Sequence, residues 1–204
     1  MHKHVAINTK ETMRYITIVL FLTLISCKNE TKSEIKSEPK TELETENGTN
    51  KSVSEMWNNF TKSNPEFKNE EIPQSDFFHN NKEDANRLAE LTVNGKKKAS
   101  SGLYSLYKQY NVDLPKVGNK QIITDFDGKA KAIIVTKSVD TIPFNEISKD
   151  YAELYMGTDI EPLKKWKKAH WEFFENFMKE NGGKPTEDML IVCERFETIW
   201  MKKY

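Results

Sequence analysis

The sequence predicts an α+β domain behind a long polar N-terminal region, and three observations predict it. Aromatic residues make up 11% of the 204-residue chain and become dense only after about Val53, where Trp57, Phe60, Phe67, Phe77 and Phe78 arrive close together. Helical apolar periodicity and β-rich runs then alternate without the regular spacing of βαβ units. Asp127-Gly128 joins two of the β-rich runs, which is a hairpin signal and makes those strands antiparallel. The few strands are expected to close into a small barrel.

Composition removes several classes of function. Lys+Arg and Asp+Glu both number 31, so the formal net charge is zero, unlike a strongly basic nucleic-acid-binding arm. Hydrophobic residues are 37% and charged residues 30%, which excludes a polytopic membrane protein. The two cysteines, Cys27 and Cys193, do not make a disulfide scaffold.

Residues 1–26 read as a signal peptide. Ile16 to Ile25 is an apolar run behind Lys10 and Arg14, too short to span a bilayer, which takes about 20 residues. Leu24-Ile25-Ser26-Cys27 resembles the lipobox of bacterial lipoproteins, which implies a lipid on Cys27 and a membrane-anchored place in the cell envelope. Met13 makes a more compact start than Met1. Residues 27–51 read as a charged linker. Lys28, Glu30, Lys32, Glu34, Lys36, Glu38, Lys40 and Glu42 alternate in sign with almost no apolar residue between them, so nothing offsets the chain entropy. Such a tether has an r.m.s. span of about 25–30 Å.

The folded part begins with an extension over residues 52–76. Ser54 caps a short expected helix that ends near Asn64-Pro65. Ala85, Leu88, Ala89 and Val93 fall on one face of a helix over Lys82 to Val93, stopped by Asn94-Gly95. A short helix is expected within Leu103 to Tyr110. Gln121 to Asp125 and Ala130 to Val139 are the hairpin strands, and Pro143 to Ile147 a helical turn. Leu163 to Glu180 is the longest helix, with Leu163, Trp166, His170, Phe173, Phe174 and Phe177 as its buried stripe. Met189 to Trp200 is a final strand carrying Cys193 as a small buried hydrophobe.

Several ordered segments carry a resemblance. They are Glu83 to Leu91, Gly95 to Leu103 (GKKKASSGL), Leu114 to Gly118, Ile123 to Gly128, Ile142-Pro143-Phe144, Trp166 to Phe174 and Asp188 to Glu197. Together they resemble the ASCH domain family, colinearly from about Phe77 to Ile199, with the domain placed at residues 77–200. The resemblance implies a PUA-like small β-barrel flanked by helices and a role with RNA or nucleosides. Some small members are amidohydrolases of N4-acetylcytidine that use a motif Lys, a Thr and a later Glu.

Carried over by residue, Gly95-x-Lys97-x-x-Ser100 matches the family's Gly-x-Lys-x-x-Thr/Ser loop. Lys97 is then the motif lysine and Ser100 the hydroxyl, a pair that can act as base and nucleophile. The family Glu falls on Tyr155, so Glu153 or Asp159 would have to replace it. The acid that relatives carry before the first helix is here Asn80. Lys96, Lys98, Ser101 and Tyr155 are the expected ligand contacts. Lys96-Lys97-Lys98 also reads as a solvated charge run. Tyr104, Tyr107 and Tyr155 are stacking candidates. His170, Trp166 and Trp171 read as core. Glu194 and Glu197 are three apart in a strand and so are no carboxylate pair. There is no P-loop, no GxGxxG and no metal-ligand spacing, so no cofactor or metal is expected.

Three functions follow as expectations. The first is a lipid-anchored module holding RNA, a nucleoside or a related small polar ligand in a basic cleft. The second is an N-acyl nucleoside amidohydrolase. The third is a cell-envelope module for a protein or polysaccharide partner.

Overall fold

The computed structural model describes residues 50–180 and 183–201. The signal peptide, most of the linker and Cys27 lie outside the described residues, as does the start at Met1 or Met13. Among the described residues no helix is long and apolar enough to cross a membrane.

Helix α1 spans Lys51–Ser63. Its cap is Asn50, not Ser54: the Asn50 side chain accepts from the Ser52 N–H at 2.9 Å. Val53, Met56, Trp57 and Phe60 form its buried stripe, and Asn64-Pro65 ends it. The two-residue strand β1, Ser75–Asp76, follows. Helix α2, Lys82–Val93, is capped by Asn81, which accepts from the Asp84 N–H. Ala85, Leu88, Ala89 and Thr92 are its buried residues. Thr92 thus takes the inward place expected of Val93, its hydroxyl donating to the Leu88 carbonyl.

Strand β2, Ala99–Leu103, was not legible as a strand. Alanine, serine and glycine have weak β-propensity, and pairing of the strand along its whole length with Ile191–Arg195 overrides that. Helix α3 is Tyr104–Gln109. Strands β3, Lys120–Thr124, and β4, Ala130–Pro143, form the expected hairpin, with β4 running four residues further than predicted. Helix α4, Lys149–Met156, was also missed. Its signals are present: Ser148 accepts from the Tyr151 N–H, and Gly157 closes the helix with φ of 65°. Helix α5, Pro162–Glu180, and strand β5, Leu190–Met201, match expectation closely.

The sheet has five strands in the order β1-β3-β4-β5-β2. Only the β1–β3 pair is parallel. Strands β1 and β2 are its two edges, so the sheet is open and not the closed barrel expected. Register shifts at Ile133/Ile134, where Ile199 of β5 is the extra residue, and at Thr136/Ser138, where Lys137 of β4 is, bend the long β4–β5 ribbon instead.

Burial on both faces shapes the core. Ile122 and Ile133 pack beneath Val53, Met56, Trp57 and Phe60 of α1. Their chain neighbours Ile123 and Ile134 join Ala89 of α2, Phe196 and Phe78. The third cluster holds Ala99, Leu103, Ile191 and Cys193 against Tyr151, Ala152, Trp166 and Phe174 of α4 and α5. On α5 the stripe runs Leu163, Trp166, His170, Phe174, Phe177, while Phe173 is 40% exposed. Phe173 sits one residue off the 3.6-residue stripe and turns outward.

Candidate functional site

The segment from Gly95 to Ser101 is built to put one lysine inside. Gly95 takes a left-handed φ of 65°, which lets the backbone N–H groups of Lys96 and Lys97 both return to the Leu91 carbonyl at 2.8 and 3.0 Å. The Lys98 N–H then donates to the Leu154 carbonyl of α4, and the Phe196 N–H of β5 donates to the Lys98 carbonyl. Between these ties the three lysines alternate. Lys96 and Lys98 are exposed, and Lys97 is 0% exposed.

Lys97 Nζ donates to the Ala99 carbonyl at 2.8 Å and to the Tyr155 carbonyl at 3.2 Å. It lies 3.6 Å from the Tyr155 ring centroid and 4.8 Å from that of Phe78. Both faces are favourable for a cation. Yet among the described residues no carboxylate lies within 4.0 Å of it. Burial therefore holds its pKa down to about 7, helped by the Arg87 charge and opposed by Glu194.

Glu194 is the counterpart that sequence reasoning set aside. It lies on β5 opposite Ser100 of β2 and Val139 of β4. Thr136 Oγ1 donates to its Oε1. Burial raises its pKa, while the Thr136 bond and the Lys97 charge oppose the rise. Tyr107 of α3 completes this side. A Cβ on Gly102 would come 2.8 Å from the Tyr107 hydroxyl oxygen, so only glycine at 102 lets the phenol lie this close. Burial, then the Glu194 charge, pushes the Tyr107 pKa up to about 12.

Behind Tyr155 stands an aromatic stack. The His170 ring is 4.7 Å from that of Tyr155 and 4.0 Å from that of Trp166. Its Nδ1 is 2.9 Å from the Trp166 carbonyl, which can only accept, so Nδ1 carries the hydrogen. Burial pushes its pKa down to about 3, so the ring is neutral at pH 7. His170 is a core residue, as the sequence suggested. Burial likewise pushes Tyr155 up to about 12.

The structure brings together some of the expected residues and separates others. Lys97 and Tyr155 are in contact. Ser100 lies beside Glu194 in register, but the two Lys97 bonds described go to carbonyls and none to the Ser100 hydroxyl. Tyr151 donates its hydroxyl hydrogen to the Ser100 carbonyl, so the Ser101 hydroxyl, 2.9 Å from the Tyr151 oxygen, must donate to it. Glu153 and Asp159 are both exposed, and the charges that move Lys97 come from Arg87 and Glu194. Asp159 lines a surface depression with Lys149, Glu161 and Lys164. Asn80 is exposed. Glu194, Thr136 and Phe78 were missed. A signal for Glu194 exists: it is the first charge after the apolar run Leu190-Ile191-Val192-Cys193, on a central strand where both faces are buried. Among the described residues no group of three or more His, Cys, Asp or Glu could hold a metal ion.

This arrangement offers a near-neutral lysine, a carboxylate held toward protonation and aromatic rings around them. Residues 74–200 match the family model of the ASCH domain. The chain is similar to the crystal structure of an ASCH domain from Lactobacillus crispatus JV V101, with 31% identity and a TM-score of 0.68, covering 74% of this chain and 96% of that one. It is similarly close to a protein from Enterococcus faecalis V583, with 31% identity, a TM-score of 0.65, and 73% and 88% of the two chains covered. No curated protein matches the chain. With more than half of its length in the family match and the same α+β architecture, the chain belongs to the ASCH domain family, a PUA-like fold family often linked to RNA binding.

Proposed function

We propose that the chain binds RNA, a nucleoside or a related small polar ligand on the sheet face that carries Glu194, Thr136 and Ser100. The observation that carries this reading is the state of Glu194. It is a largely buried carboxylate, bonded by Thr136 and pushed toward protonation, with no cation within 4.0 Å among the described residues. A carboxyl group in that state suits the edge of a nucleobase: ionised it accepts from amino or imino N–H, and protonated it also donates. Tyr107, which feels the Glu194 charge, and Phe78, which stacks on Phe196 two residues along the same strand, supply rings to stack a base. Lys97 supplies positive field from below without touching the ligand, and the exposed Lys96 and Lys98 favour phosphates outside.

Calorimetric titration with cytidine, uridine and N4-acetylcytidine tests this. Saturable binding that weakens about tenfold or more in Glu194→Ala is expected, the loss of one hydrogen bond to a charged group. Absence of binding by all three, or equal binding by wild type and variant, overturns it.

One observation favours a second reading, an N-acyl nucleoside amidohydrolase. Lys97 is held near pH 7, where a general base works best. In that reading Lys97 and Glu194 move the proton, rather than a Ser100–Lys97 dyad. Water adds to the amide carbonyl, the C–N bond breaks, and the proton passes to the leaving amine. Tyr155 must swing aside first, since Lys97 is sealed beneath it. N4-acetylcytidine converted to cytidine and acetate by wild type but not by Lys97→Ala would establish it.

A further inference from the structure

We propose that the groove beside α3 is a second base subsite, so that the ligand is a single-stranded oligonucleotide rather than a free nucleoside. This rests on the reading of the Glu194 face as a nucleobase site. The groove is about 290 Å³ and is walled by Tyr104, Tyr107, Lys108, Val112 and Leu114.

Three features select a nucleic-acid strand as its occupant. First, Tyr107 is shared. Its hydroxyl end packs over Gly102 and feels the Glu194 charge, while the residue also lines the groove. A base on Glu194 and a base in the groove would thus flank one phenol ring, as successive bases flank an aromatic platform. Second, Tyr104 and Tyr107 are one helical turn apart and line the same concavity. The chain reverses after them. Asn111 takes a left-handed φ of 51°, and the Val112 N–H donates to the Tyr107 carbonyl at 2.9 Å, which brings Val112 and Leu114 back as the opposite wall. Third, the charge is placed for a phosphate. Lys108 Nζ lies 4.9 Å from the Tyr104 ring centroid at an exposed position. The acid in the lining, Asp113, is paired with Lys116 at 2.8 Å.

Fluorescence anisotropy and calorimetry with two probes, cytidine and hexacytidylate, test the proposal at several salt concentrations. Wild type is expected to bind the hexamer about tenfold or more tighter than cytidine, the gain of one further stacked base. Tyr104→Ala should bring the hexamer close to cytidine and leave cytidine affinity unchanged, whereas Tyr104→Phe should keep the gain. Lys108→Gln should lower the slope of log affinity against log salt by about 0.7, one phosphate contact on a single strand. Cytidine binding with no gain for the hexamer overturns the subsite and leaves the nucleobase reading standing. A gain that survives Tyr104→Ala in a variant of unchanged circular dichroism also overturns it. Binding of neither probe removes both.

Discussion

At the scale of a residue the chemistry centres on Lys97, which has no accessible surface and, among the described residues, no carboxylate within 4.0 Å. The Gly95-x-Lys97-x-x-Ser100 pattern pointed to Lys97, but nothing local distinguishes it from Lys96 and Lys98. Its burial is decided by Phe78 and by Tyr155, 58 residues away, so it was legible only as a candidate. Its consequence is a pH dependence with a definite sign. Burial holds the Lys97 ammonium down to about 7 in the folded chain, against 10.5 for an ordinary lysine. Between those values the unfolded chain binds the extra proton, so this group makes stability rise with pH across that window. Below about pH 7 both states are protonated and the burial penalty is full. Lys97→Met removes the penalty and leaves two carbonyls without this donor, a constant offset. The stability of Lys97→Met relative to wild type should therefore fall steadily as pH rises from 7 to 10. Urea titrations at three pH values check it; a difference independent of pH would show that Lys97 is not depressed. Glu194→Gln belongs to the same scale. The Thr136 hydroxyl can still donate to the amide oxygen, so folding should change by about 1 kcal/mol or less, while the field that opposes Lys97 depression disappears and the Lys97 pKa falls further. Nitrogen-detected NMR of the lysine ammonium would follow that shift.

Elements were legible where periodicity was strong and illegible where pairing alone creates the structure. The stripes of α2 and α5 and the β3–β4 hairpin could be read directly. Strand β2 could not, because its ASSGL sequence states no preference and its ladder to β5 spans almost a hundred residues of chain. Helix α4 is the opposite case: Ser148 and Gly157 are both in the sequence as its caps, but its eight residues show too little periodicity to be seen. These elements also carry the site, since β2 supplies Ser100 and Gly102 and α4 supplies Tyr155. Gly157 shows the coupling. A side chain there would face a left-handed backbone, with its Cβ 3.3 Å from Leu91 and 3.4 Å from Lys96. Gly157→Ala should cost about 1–2 kcal/mol from the left-handed strain and loosen the end of α4 that covers Lys97. Thermal melts give the first effect, and faster exchange of the Lys98 amide, which donates to the Leu154 carbonyl, gives the second. Helix α1 stands outside the matched domain yet closes one face of the sheet. Trp57 is 3% exposed and stacks on Phe60 at 5.2 Å. Trp57→Ala should lower the urea stability by about 3–5 kcal/mol, the cost of a large cavity. A loss below about 1 kcal/mol would mean that α1 docks only weakly.

Across the whole molecule, the ASCH domain and the N-terminal region point to different compartments. An RNA-linked fold is expected beside intracellular nucleic acid, whereas the lipoprotein signal we propose for Ile16 to Cys27 would export the chain. The two agree if the ligand is met outside the cytoplasmic membrane. A tethered domain with a base-sized face and an adjoining groove would retain nucleosides or short single strands there by mass action. That makes anchoring the property to test before any cellular role is assigned. Each acyl methylene buried contributes about 0.8 kcal/mol, so a single chain binds a bilayer marginally and two or more hold stably. Wild-type protein expressed in bacteria should sediment with membranes and resist extraction by salt, which removes only electrostatic attachment. Cys27→Ser should lose that attachment and be recovered soluble or as uncleaved precursor, with its nucleoside affinity unchanged because the domain begins more than twenty residues later. Equal sedimentation of the two proteins would overturn lipid anchoring through Cys27.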